Sequence, residues 1–125
     1  MFLRRNRDLR WKSDADNPHV PEEMRTGASR ALIVQGEGGF YMHSGKMEPY
    51  YHAAAHSHPS SELILVVEGS LRFDESQEEL VTGDVAVIPA NFVYGFTAGK
   101  DGLRIVNIRK APPKVYMATK KEEDT

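Results

Sequence analysis

The chain has 125 residues, a formal net charge of −2 and no cysteine. Its length suits a single domain, and its nearly balanced charge argues against a protein whose main task is binding nucleic-acid phosphates. The lack of cysteine excludes thiol nucleophiles, thiolate metal sites, iron–sulfur clusters and disulfides. Any bound metal ion must therefore be held by histidine nitrogen or by oxygen.

The chain begins with a basic segment, MFLRRNRDLRWK, that no long apolar stretch follows. No window approaches the roughly 18 consecutive apolar residues of a membrane span, so we expect no signal peptide, no membrane partner and a cytoplasmic protein. The segment is either a solvated arm or an arm that docks onto a second subunit through Phe2, Leu3, Leu9 and Trp11. We expect a homodimer in which the arm around Trp11 covers an open edge of the partner's sheet.

The composition divides the chain into three segments. Residues 1–30 form an N-terminal arm and a polar connector, with one short helical turn expected after Pro21. Residues 31–110 consist of short runs rich in Val, Ile, Leu and aromatic residues, a pattern typical of an all-β sandwich or barrel. No window shows apolar residues at helical spacing, so alternating helices and strands are not expected.

Turn residues separate the predicted strands, notably Gly69-Ser70, Gly83-Asp84 and residues 100–102. Residues 111–125 follow the barrel. They predict an edge strand at 115–117 and a frayed, charged tail at 120–125.

Three of the five histidines lie in the short segment HAAAHSHPSSE. In an extended strand His56 and His58 share a face, and a turn can bring the carboxylate of Glu62 back toward them. Two histidines and one carboxylate are the ligand set of non-haem Fe(II) oxygenases, and the set also suits Mn, Zn or Ni. A bare HxH is otherwise two surface histidines. Here, however, Glu62 begins the apolar run ELILVVEG, and a buried carboxylate needs a cation or hydrogen bonds.

We therefore predict one divalent metal ion bound by His56, His58 and Glu62. Its identity, Fe, Mn, Zn or Ni, is left open by the residues.

These residues resemble the first sequence motif of the cupin superfamily. The match runs from His56-Ser57-His58 through Glu62 to Gly69, and Gly83 and Pro89 in GDVAVIPANFVYGFTA match the second motif. The resemblance covers residues 31–109. It implies a small, single-domain jelly-roll β-barrel of the cupin type with room inside for one small ligand.

The resemblance implies a fourth metal ligand, a histidine in the second motif, but Tyr94 stands at that position. Tyr94 is a phenolate ligand, a neutral hydrogen-bond donor or general acid/base beside the metal, or a core aromatic of an abandoned site. His52 is the other candidate for a catalytic role or for the fourth ligand, provided that the strand extends back far enough to share the face of His56.

Three further residues are predicted at the substrate pocket. Tyr51 would stand at its mouth, Phe96 would line it and His43 would face the barrel interior. Each has a plain structural alternative, namely loop packing for Tyr51, core packing for Phe96 and a hydrogen-bonded buried position for His43.

Cupins include dioxygenases, decarboxylases, isomerases, lyases, polyketide cyclases and binding barrels without turnover, so the resemblance implies the fold more strongly than the activity. Our first hypothesis is a mononuclear metal-dependent enzyme for a small, oxygen-rich organic substrate, with dioxygenase-type chemistry favoured by the ligand set. The second is a Lewis-acid lyase, isomerase, decarboxylase or cyclase. The third is a non-catalytic barrel that binds a small molecule.

Overall fold

The computed structural model describes residues 1–118. These residues form nine strands: β1 (Lys12–Ser13), β2 (Ala28–Gln35), β3 (Tyr41–Met47), β4 (His52–Ser57), β5 (Glu62–Phe73), β6 (Glu79–Val81), β7 (Val85–Ile88), β8 (Tyr94–Arg109) and β9 (Tyr116–Met117). Short 3₁₀ turns span Asn6–Asp8, Glu22–Met24 and Glu37–Gly39. The predicted charged tail at 120–125 lies outside the described residues.

All the strand pairs are antiparallel, and β8 lies at their centre. One path through the sheet runs β1-β2-β3-β8-β4-β9, while β5 pairs with β8 and also carries β6 and β7. Because β5 and β8 are long and contain register shifts, they bend and the sheet closes around an apolar core. The predicted all-β class is thus confirmed. Across residues 1–118, no helix is long and apolar enough to span a membrane.

The core lies on the inner face of the curled sheet. Ile64 and Leu71 of β5 are fully buried, and Phe96 and Ile105 of β8 are nearly so. Burial of a side chain of this kind contributes about 1.5–3 kcal/mol, so these apolar contacts are the main source of stability. Their alternation along β5 and β8 also fixes which polar residues of the same strands point inward.

Two of the predicted turns are wrong. Gly69-Ser70 lies within β5 and residues 100–102 lie within β8, so four predicted short strands are two long ones. Gly69 and Gly102 both have positive φ, and a Cβ on Gly69 would lie 2.1 Å from the Gly102 carbonyl oxygen. The two glycines therefore allow the backbones to touch at a bend instead of a turn. The turn at Gly83, where φ is 92°, is confirmed.

The N-terminal segment packs against its own chain. Its strand β1 pairs with β2, and the Trp11 ring lies 4.0 Å from the Lys46 ammonium and 5.3 Å from the Arg104 guanidinium. Such cation–π contacts hold the arm on the outer face of β3 and β8. Strand β2 begins at Ala28, inside the segment that we assigned to the connector. The homodimer through this arm stays a prediction.

Candidate active site

A bulge in β4 decides which histidines point inward. Ala53 pairs with Phe96 and His56 with Tyr94, so β4 carries Ala54 and Ala55 where β8 carries only Gly95. The extra residue shifts the alternation of side chains by one position. His56 therefore shares the inner face with Tyr94, whereas His52, which pairs with Thr97, lies on the outer face.

Six polar side chains meet inside one end of the barrel, and we call them the polar cluster. They are His56, His58, Glu62, Tyr94, Asn107 and Arg109. The end of β4, the start of β5 and both ends of β8 supply them. Each is at most 8% exposed to solvent. The structure brings together four residues that the sequence placed at the site, namely His56, His58, Glu62 and Tyr94.

The Tyr94 hydroxyl lies between two proton acceptors. It donates a hydrogen bond of 2.5 Å to Glu62 Oε1 and lies 3.4 Å from His58 Nε2. Burial, reinforced by the Glu62 carboxylate, raises the pKa of Tyr94 well above its usual value of 10. Tyr94 is therefore a neutral phenol with one proton to donate, which agrees with the second of the three roles that the sequence left open.

Backbone carbonyls orient both imidazoles. His56 Nδ1 donates to the Ala54 carbonyl at 2.6 Å, and His58 Nδ1 donates to the Lys114 carbonyl at 2.5 Å. A carbonyl oxygen only accepts, so the proton of each ring is on Nδ1. Burial lowers the pKa of both histidines. Each is thus a neutral imidazole with a lone pair on Nε2.

Arg109 is the cation beside Glu62. Its Nη2 lies 2.6 Å from Glu62 Oε2, and Asn107 Nδ2 donates to the same oxygen at 3.0 Å. The sequence predicts that a buried Glu62 needs a cation or hydrogen bonds, but Arg109 is not among the residues predicted at the site. The sequence could have indicated Arg109, because Asn107 and Arg109 occupy every second position after Ile105 on β8. Side chains at such positions share one face of a strand, and Ile105 is buried.

The predicted ligand set does not fit a divalent ion as it is arranged, although two of its three members are suitable donors. The two Nε2 lone pairs are suitable donors, and anchoring of Nδ1 to a carbonyl is usual for metal-binding histidines. Glu62 is not free, because Oε1 receives the Tyr94 hydrogen bond and Oε2 receives Arg109 and Asn107. In the part of the chain that the structure describes, no three His, Asp or Glu side chains are arranged to hold a metal ion. The three residues as arranged therefore do not fit a metal.

The structure does not bring His52 into the polar cluster. Its Nε2 lies 2.6 Å from Asp74 Oδ2, and Thr97 donates to the other oxygen of the same carboxylate. The side chains of His52 and Asp74 are 56% and 38% exposed. Because the bulge turns His52 outward, the structure does not support it as a replacement ligand or as a catalytic residue.

The three predicted pocket residues surround the polar cluster without joining it. The Tyr51 hydroxyl donates to the Met24 carbonyl at 2.6 Å, and burial raises the pKa of Tyr51 to about 12. Phe96 is a core residue whose ring stacks against Tyr94. Burial, with the charges of Arg30 and Arg109, lowers the pKa of His43 to about 3. His43 Nδ1 accepts a 3.5 Å hydrogen bond from Arg109.

The strand order, the inward histidines and the two motifs are those expected of the cupin resemblance, and a family model for the cupin domain matches residues 40–108. The chain belongs to the cupin family. The predicted jelly-roll barrel is thereby confirmed as well. No curated protein sequence matches the chain.

Several solved structures are similar to this one. The polyketide cyclase RemF from Streptomyces resistomycificus has a TM-score of 0.73 and 20% identity, covering 94% of this chain and 85% of RemF. KdgF from a Halomonas species has a TM-score of 0.70 and 18% identity, covering 90% and 96%. A DMSP lyase structure has a TM-score of 0.69 and 16% identity, covering 88% and 62%. At these identities the likeness shows the fold alone.

Proposed function

We propose that this cupin is an enzyme that transfers protons on a small, oxygen-rich organic substrate, in lyase, isomerase or cyclase chemistry. The observation that supports the proposal is the position of the Tyr94 hydroxyl, 2.5 Å from Glu62 Oε1 and 3.4 Å from His58 Nε2. A neutral phenol, a neutral imidazole and a carboxylate in one buried network supply a proton donor and a proton acceptor side by side.

The polar cluster lowers the stability of the folded chain in a way that a purely structural role does not explain. A buried ion pair loses the hydration of both charges, and apolar residues of similar volume often stabilise a core equally well or better. Here Glu62 and Arg109 form such a pair inside the barrel, with side-chain exposures of 0% and 4%. Buried groups with shifted pKa values in one cluster are typical of active sites.

The residues have distinct roles in the proposed reaction. When a substrate carbonyl takes the place of Glu62 Oε1 as the acceptor of the Tyr94 hydroxyl, His58 Nε2 accepts the proton from the neighbouring carbon, and Tyr94 donates its hydrogen bond to the developing enolate oxygen. Return of the proton from His58 to a different carbon is an isomerisation. Its transfer to a departing hydroxyl group, which leaves as water, is an elimination. Attack of the carbanion on a second carbonyl of the same molecule, with transfer of the proton from His58 to the new alkoxide oxygen, is a cyclisation.

Glu62 and Arg109 position this pair. Arg109 and Asn107 hold Glu62 Oε2, so that Oε1 faces the Tyr94 hydroxyl. A groove of about 860 Å³ lies between the connector and strands β4 and β9, and none of the described residues that line it belongs to the polar cluster. This groove is lined by Ser57 and Asn91, and the Asn91 amide donates to the His58 carbonyl at 2.7 Å.

The test is proton exchange at carbon. Keto acids, hydroxy acids and diketones are incubated with the protein in heavy water, and NMR follows deuterium incorporation next to each carbonyl. We expect accelerated exchange for at least one compound. We also expect Tyr94→Phe to slow this exchange by about 10²- to 10⁴-fold, the usual contribution of a general acid or base.

Tyr51→Phe is the matched control for this experiment. Tyr51 is also a buried tyrosine, but its hydroxyl is bonded to the Met24 carbonyl outside the polar cluster. We expect Tyr51→Phe to keep the wild-type exchange rate. Equal slowing by both variants, or wild-type exchange in Tyr94→Phe, contradicts the proposed role. No exchange with any compound favours the non-catalytic binding barrel.

A metal-dependent enzyme, including the dioxygenase that the sequence favoured, is the second candidate. One observation favours it, namely the Nδ1 anchoring of His56 and His58, which leaves the lone pairs of both Nε2 atoms available, with His58 Nε2 at 3.4 Å from Glu62 Oε1. It requires Glu62 Oε1 to exchange the Tyr94 hydrogen bond for the ion. A stoichiometric metal in the purified protein, with oxygen consumption when Fe(II) and a substrate are supplied, would favour this candidate over the first.

A further inference from the structure

A permanent positive charge lies beside Glu62, the carboxylate of the predicted metal site. The Arg109 guanidinium is 4% exposed and contacts Glu62 Oε2 at 2.6 Å. Glu62 and Arg109 are also register partners on β5 and β8, so the backbone pairing fixes them next to each other. On the far side of the guanidinium, Arg109 donates to His43. Arg109 is therefore held from two sides in this position.

The net charge of the polar cluster is balanced without another ion. Its charged side chains are Glu62 and Arg109, which contact each other at 2.6 Å. The carboxylate of Glu62 and the guanidinium of Arg109 cancel each other. A divalent ion on the same carboxylate would leave the polar cluster with an uncompensated double positive charge, which is unfavourable away from water.

Arg109 also lies close to the nitrogen of a predicted ligand. His58 Nε2 is 3.4 Å from Glu62 Oε1, and the other oxygen of that carboxylate contacts Arg109 at 2.6 Å. The charge of Arg109 therefore repels a metal ion held between His58 and Glu62. Moreover, Arg109 Nε is buried and has no hydrogen-bond partner among residues 1–118. An arginine with an unsatisfied buried donor is not explained by hydrogen bonding alone.

We propose that Arg109 replaces the metal ion as the counter-charge of Glu62, so that removal of Arg109 converts the polar cluster into a metal-binding site. The ligands of the created site would be His56, His58 and Glu62. This inference concerns metal binding only and does not depend on the proposed reaction.

The test compares three forms of the full chain by titration with Zn²⁺ or Co²⁺ alone. We expect Arg109→Gln to bind about one equivalent of metal, with the visible absorption of Co²⁺ held by nitrogen and oxygen ligands. The wild type and Arg109→Lys, which keeps the positive charge, are expected to bind at least about tenfold more weakly. The double variant Arg109→Gln with Glu62→Gln is expected to lose the site again.

Tight binding of one equivalent by the wild type overturns the inference, and so does a folded Arg109→Gln that binds no better than the wild type. If Arg109→Gln is unfolded without metal, because Glu62 is left unpaired, it is refolded with and without Zn²⁺. Recovery of the native circular dichroism only with Zn²⁺ supports the inference, and no recovery contradicts it. Failure of the proposed function appears separately, in the exchange rate of Tyr94→Phe.

Discussion

Two histidines from the same segment of the chain each contact a carboxylate, and the two pairs differ in their surroundings. His58 and Glu62 are 3.4 Å apart, with side chains 5% and 0% exposed. His52 and Asp74 are closer, at 2.6 Å, but their side chains are 56% and 38% exposed. The inner pair is held by Tyr94, Arg109 and backbone carbonyls, whereas the outer pair has water on one side.

The comparison shows that distance alone does not identify a functional pair. The shorter contact is the exposed one, where water screens the charges and an ion pair is worth about 0–1 kcal/mol. The longer contact belongs to a buried network, in which loss of one partner leaves an uncompensated charge. Burial and the identity of the counter-charge therefore separate the candidate active site from a surface pair.

The largest expected difference between the two pairs is in stability. Glu62→Ala leaves Arg109 buried without its carboxylate, and we expect a loss of about 3–5 kcal/mol in the free energy of unfolding. Asp74→Ala removes the exposed partner of His52 and should cost about 1 kcal/mol or less. Urea unfolding of both variants at neutral pH measures the two values. Similar losses would show that burial does not distinguish the pairs.

A smaller effect is expected in the pH dependence of stability. His43 has a pKa of about 3 in the folded chain, against a usual 6.5, because it is buried near Arg30 and Arg109. Between these values the unfolded chain binds more protons, so stability decreases as the pH falls through this window. His43 contributes a slope of up to about 1.4 kcal/mol per pH unit.

Urea unfolding of the wild type and His43→Asn at about pH 7 and about pH 5 checks this slope. We expect a smaller loss of stability on acidification in His43→Asn than in the wild type. His19→Asn, at an exposed position, provides the matched histidine control. If the unfolding free energy of His43→Asn changes with pH as steeply as that of the wild type, then the surroundings of His43 are more polar than the structure indicates.

How much the sequence could predict follows from the kind of information each feature needs. The period-two patterns and the cupin motifs predicted the all-β barrel and the meeting of His56, His58, Glu62 and Tyr94. The sequence did not predict that β5 and β8 are continuous strands, because glycines such as Gly69 and Gly102 usually mark turns. Only their mutual contact across two strands shows that they form a bend.

The sequence could not predict that Arg109 is the counter-charge of Glu62, or that His52 points outward, for the same reason. Arg109 lies far from Glu62 in the chain, and their contact depends on the register of β5 and β8. His52 lies on the outer face because of one extra residue in β4, opposite Gly95. Bulges and long-range register are set by tertiary pairing, so local patterns do not specify them.

The smallest expected effect concerns the outer face. We propose that the chain forms a homodimer through its N-terminal arm, which lies on β3 and β8 around Trp11. Deletion of residues 1–12 should then convert a dimer into a monomer without loss of the polar cluster. Light scattering at micromolar concentration measures both masses. A monomeric wild type, or a dimer that survives the deletion, speaks against the arm as the interface.

The most direct test of the central account is the protonation of the two inner histidines. Long-range ¹H–¹⁵N NMR on the wild-type chain at neutral pH reports which ring nitrogen carries a proton. We predict that His56 and His58 are both neutral, with the proton on Nδ1 and the lone pair on Nε2, which in His58 lies 3.4 Å from both the Tyr94 hydroxyl and Glu62 Oε1. A proton on Nε2 of His58, or a doubly protonated ring, would contradict it, because His58 could then accept no proton from a substrate.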